Sequence, residues 1–120
     1  MTNIELFSRL ILLMDLADRA YENYMANKLY LHAVCIRKNN AAIYNCIIEH
    51  ADDFPKGLYP HLLDLLNHYD TWMAQFDLFQ KTKVFSANEP FIFYHVDAKS
   101  AYPKTAALAI RDYGASQVVS

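Results

Sequence analysis

The chain has 120 residues, a formal net charge of −2 and a hydrophobic fraction of 54%. That length and composition suit one domain with a sizeable core. The weakly acidic balance excludes the basic footprint of a phosphate-backbone binder. Nine Tyr and seven Phe in so short a chain exceed what a small interior takes, so some rings are expected at a surface or contact. Two Gly and four Pro leave few positions for tight turns, which favours long helices over hairpins.

Cys35 and Cys46 fall on one expected helix, roughly 16 Å apart along its axis, too far for a disulfide. They read as small reduced hydrophobes of a cytoplasmic protein. The start, MTNIELFSRL, lacks the basic and small-residue features of a signal peptide, and the most apolar run, Leu10 to Met14, is too short to span a bilayer.

Thr2 and Glu5 have the spacing of a capping box, so a first helix is expected to start there. Leu6, Leu10, Leu13, Ala17, Ala20 and Tyr24 share its inner face. Asp15, Asp18 and Glu22 form an acidic line behind, and Leu12 and Leu16 fall outside the main stripe. A boundary is expected between Asn23 and Lys28. A second helix is expected from Tyr30 to His50, with Ala33, Ile36, Asn40, Ile43, Tyr44 and Ile47 inward. Asn40 interrupts that apolar stripe. A buried amide needs partners, so it either bridges to a neighbouring helix or faces a ligand or contact.

Asp52 to Gly57 is the clearest turn, because Pro55 and Gly57 prevent the second helix from running through. The third helix is expected over Leu58 to Lys83, with Leu62, Leu65, Leu66, Tyr69, Trp72, Met73, Phe76 and Phe79 on its broad inner face and Leu63 and Leu78 off it. Beyond Ser86 the period breaks. Residues 91–96, Phe-Ile-Phe-Tyr-His-Val, are β-branched and aromatic and read as an extended strap, paired within or between chains. Pro103 opens a short last helix, expected from Lys104 to Tyr113. Gly114 is expected to stop it and residues 115–120 to form a loose tail. The expectation is an all-α single domain over 1–120: three long helices as a bundle, a short C-terminal helix and an aromatic strap.

Chemistry is sparse. His61, Asp64 and His68 lie on one flank of the third helix and are of metal-ligating type. His61 and His68 are two turns apart, roughly 10 Å, so one ion would need a further group such as His95 or Asp97. The alternative is a pair of boundary histidines bonded locally. His95 and Asp97 share one side of an extended segment, where a carboxylate could orient an imidazole. Cys35 and His32 are neighbours without the electropositive setting that activates a thiol.

The gross build is similar to that of HEPN-type ribonucleases, small helical bundles that often dimerise and carry an arginine followed, after four to six residues, by a histidine. Arg9, Arg19, Arg37 and Arg111 have no histidine at that spacing. The resemblance reaches the architecture and counts against the activity. No phosphate loop, H-E-x-x-H or C-x-x-C is present.

The function expected is that of a non-enzymatic interaction or assembly protein, a homo-oligomer or small subunit, without cofactor. Its expected contact residues are Leu12, Leu16, Leu63, Leu78, Phe91, Phe93 and Tyr94. A small metal-dependent or acid–base enzyme centred on His61, Asp64, His68 and His95 is the alternative. A nucleic-acid-associated subunit using Arg37, Lys38, Asn39 and Asn40 is a third, although direct binding is not expected of the isolated chain. No membrane association is expected.

Overall fold

The computed structural model describes residues 2–92 and 102–119. The fold is all-α. Helix α1 spans Asn3–Asn27, α2 Tyr30–Glu49, α3 Tyr59–Gln80 and α4 Lys104–Val119. They pack in a ring: α1 against α2 and α4, and α3 against α2 and α4. No helix among the described residues is long and apolar enough to cross a membrane. Phe93, Tyr94, His95 and Asp97 of the expected strap lie outside the described residues.

The capping box forms. The Thr2 hydroxyl accepts from the Glu5 N–H at 3.1 Å, and the Thr2 N–H donates to Glu5 Oε2 at 3.2 Å. At the other end of α1, Lys28 takes the left-handed conformation with φ 52°, and its N–H closes on the Tyr24 carbonyl at 2.6 Å. A non-glycine residue there costs about 1 kcal/mol or more, so neighbouring structure must hold it. Residues 87–91 do so. The Phe91 N–H donates to the Lys28 carbonyl at 2.8 Å, and the α2 N–H groups of Tyr30 and Leu31 donate to the carbonyls of Glu89 and Ala87 at 2.9 and 3.0 Å. Helix α2 has no side-chain cap. A distant loop supplies backbone acceptors to its orphan N–H groups instead.

This loop corrects one expectation. Phe91 is fully buried, 0% exposed, so its ring is core and is not a contact surface for a partner. It packs edge-on to Phe79 and Phe85, with centroids 5.0 and 4.8 Å away, and tilted against Tyr30 and Phe76. Its carbonyl accepts from the Tyr24 hydroxyl at 2.6 Å. Phe91 thus belongs to an aromatic cluster with Tyr30, Phe76, Phe79 and Phe85.

The turn after α2 is two short 3-10 segments, Ala51–Asp53 and Lys56–Leu58. Between them Phe54 is buried, edge-on to Phe7 at 5.5 Å. Pro60 sits in the first turn of α3, where its missing N–H is tolerated.

The second correction is α4, which runs through Gly114 to Val119. The expected stop and loose tail are absent. Glycine weakens a helix interior by about 1 kcal/mol, but a Cβ on Gly114 would lie 2.6 Å from Ile11 Cδ1 and 3.4 Å from Phe7 Cβ. The residue serves close approach of α4 to α1, not termination. Arg111 fixes the same contact, donating to Asp15 at 2.7 Å and Asp18 at 3.0 Å.

Candidate functional site

A cleft of about 390 Å³ opens where all four helices meet. Helical spacing brings its walls together. Ala17, Asp18 and Tyr21 come from successive turns of α1, Ile36 and Asn40 from α2, and His68, Tyr69 and Trp72 from α3. Tyr102 and Lys104, at the entry to α4, complete the described lining.

Asn40 is the unusual member. The residue is 5% exposed; its side-chain amide has no protein partner among the described residues and is not sealed from solvent, since the residue lines the cleft. Its neighbours on α2 are otherwise engaged. The Asn39 amide donates to the Leu16 carbonyl at 3.3 Å. Arg37 forms a two-pronged pair with Asp77 at 3.0 and 3.1 Å and reaches Met73 Sδ. The polar surface expected from Arg37, Lys38, Asn39 and Asn40 is therefore not a single open patch.

The opposite wall is aromatic. His68 is 7% exposed, with its ring edge-on to Tyr102 at 5.4 Å and to Tyr69 at 5.1 Å. Burial, then the neighbouring Tyr102 phenol, push Tyr69 far above its ordinary pKa. Tyr102 is also raised, chiefly by burial and by the charge of Asp18. Asp18 itself is raised by burial, with Asp15 and Glu22 adding to the shift and Arg111 opposing it. Burial alone would lower Arg111, but its hydrogen bond to Asp15 and the charges of both acids outweigh that and raise it. The two tyrosine shifts favour uncharged phenols around the opening.

The expected histidine flank does not come together. His68 turns into the cleft wall, His61 is half-buried and Asp64 is exposed. Among the described residues no group of three or more His, Cys, Asp or Glu side chains is placed to hold a metal ion. Cys35 is exposed and Cys46 buried, with the Cys46 thiol pushed up by burial.

The four outlying leucines are exposed: Leu12 59%, Leu16 41%, Leu63 64% and Leu78 72%. They do not form one patch. Leu63 and Leu78 lie near opposite ends of α3, roughly 22 Å apart along the axis. Leu12 and Leu16 are one turn apart on α1; Leu31 and Cys35 on α2 are also exposed.

Asn40 was visible in the sequence as a polar break in an apolar stripe. Asp18, Tyr21, Tyr69 and Tyr102 do not stand out as a group in the sequence, since three separate stretches supply them; the one available signal is Tyr69 beside His68. No protein-family model matches this chain, and neither the curated proteins nor the solved structures contain a significant match to it.

Proposed function

We propose that the chain is a non-enzymatic helical interaction protein that self-associates through the outer face of α1 and α2. The observation carrying this reading is the exposure of Leu12 and Leu16 one turn apart on α1, with Leu31, 45% exposed, on the adjoining helix. Exposed large aliphatic side chains gain from being covered, at about 25 cal/mol per Å² removed from water. A contact of standard size would bury about 800 Å² on each partner. Use as a small subunit of a larger assembly would engage the same face.

The test is light scattering of the purified chain, mass 13.9 kDa. At tens of micromolar the expected mass is that of a dimer or higher oligomer. The double substitution Leu12→Glu, Leu16→Glu is expected to give a monomer with an unchanged helical melting curve, because neither side chain belongs to the core. A wild-type monomer at that concentration would remove the self-association reading.

A further inference from the structure

The cleft and the α1–α2 face are independent features, and the cleft carries its own inference. We infer that it is a binding site for one neutral, planar nitrogen heterocycle of nucleoside size, read by the side-chain amide of Asn40.

The amide sets the chemistry. Asn presents a carbonyl acceptor beside an NH₂ donor in fixed geometry. Its complement is a donor placed beside an acceptor on one rigid edge, as in a lactam or amino-imine ring, and the bidentate pairing of Asn with adenine is the familiar instance. Asn40 is 5% exposed, lines the cleft, and has no protein partner among the described residues. An amide kept in an otherwise apolar helix stripe and set in a ring-lined cleft, with no protein group to pair it, is placed to pair with a ligand.

The walls set the shape. Tyr21, His68, Tyr69, Trp72 and Tyr102 carry rings, five of the ten described lining residues. Ring-lined clefts suit flat π-systems. A volume of about 390 Å³ lies at the small end of the range for ligand sites, roughly 300–1,000 Å³. A single water, at about 30 Å³, would fill little of that space and meet only part of the amide's hydrogen-bonding capacity. Charge sets the remaining limit. Asp18 and Lys104 bring opposite signs to the lining, and Arg111 already holds Asp18. No net charge therefore selects an anionic or cationic ligand. The net −2 of the whole chain favours a free nucleoside or base over a nucleic-acid strand.

The experiment is a titration of the full ¹⁵N-labelled chain with adenosine, guanosine, cytidine and uridine, followed by NMR. The Asn40 NH₂ pair is identified by its loss in Asn40→Leu. Saturable movement of that pair with at least one nucleoside is expected at about millimolar concentration or below, with at least about tenfold weaker binding to Asn40→Leu, followed through backbone amides of the cleft. Tyr21→Ala changes an exposed wall residue, leaves the core intact and is expected to weaken binding several-fold; it decides the matter if Asn40→Leu does not fold. No saturable movement with any of the four nucleosides, or equal affinity in the variants, overturns the inference. A short single-stranded RNA that binds where no nucleoside does would also overturn it. Competition in which the free nucleoside displaces that RNA would uphold it.

Discussion

The α1–α2 joint and the cleft treat polar groups in opposite ways. At the joint between α1 and α2, three polar groups find protein partners. The Tyr30 and Leu31 N–H groups find loop carbonyls, and the Tyr24 hydroxyl finds the Phe91 carbonyl. Rings from Tyr30, Phe76, Phe79, Phe85 and Phe91 then close over these bonds. Further along α2, the Asn40 side chain lines the cleft with no protein partner among the described residues. Both places use helical spacing and aromatic side chains. What separates them is satisfaction. The first is a finished piece of core, and the second is a concave polar surface of the kind ligands complete.

The comparison predicts unequal responses to substitution. Phe91→Ala should be the most damaging change, because the ring is fully buried among four others. Truncating a buried Phe costs about 3–5 kcal/mol. Chemical denaturation with helical signal as the readout should show the midpoint fall with little change in slope. A loss under about 1 kcal/mol would mean that this joint is not the packed anchor described. Tyr24→Phe should come next. It leaves the ring in place and strips the donor from the buried Phe91 carbonyl, a cost of about 1–3 kcal/mol.

Much of this contrast was legible in the sequence, but unevenly. The start of α1, the stripes of α2 and α3, and the turn at Pro55 follow from capping, helical period and proline chemistry, which are local. The two corrections concern non-local packing. Gly114 has the look of a helix stop until Ile11 of α1 is seen beside it. Phe91 has the look of a sticky strap until Tyr24 and the α2 N-terminus are seen to need its backbone. The cleft shows the same limit. Asn40 announced itself by breaking a stripe, whereas Asp18, Tyr69 and Tyr102 become neighbours only when α1, α3 and the entry to α4 converge.

The tyrosine pair supplies the third test, at high pH. Tyr69 is 2% exposed and its folded-state pKa is raised above its unfolded value, first by burial and then by Tyr102. A raised folded pKa means that the native state holds the proton more tightly than the unfolded state. The resulting stability is fully present below the unfolded value of about 10 and is lost as pH rises above it. Alkaline denaturation should therefore coincide with ionisation of Tyr69 in an ultraviolet titration. Tyr69→Phe should shift that transition to higher pH, with little change in stability near neutrality.

Asn40→Leu should have the smallest effect on folding and the opposite sign. Leucine is close to asparagine in shape and carries no polar atoms, so the substitution removes an amide that no protein group pairs and adds apolar contact with Ile36 and the ring wall. Such a replacement is neutral or stabilising, here by up to about 1 kcal/mol, because no partner is left behind unpaired. A rise in melting temperature of a few degrees in the ligand-free protein would be the signature. A fall of comparable size would mean that the amide is already held, and the contrast between the finished joint and the open cleft would then disappear. Gain of stability together with loss of nucleoside binding is the pattern of a site kept polar at the expense of the fold, and one variant measured in both ways separates it from an ordinary core position.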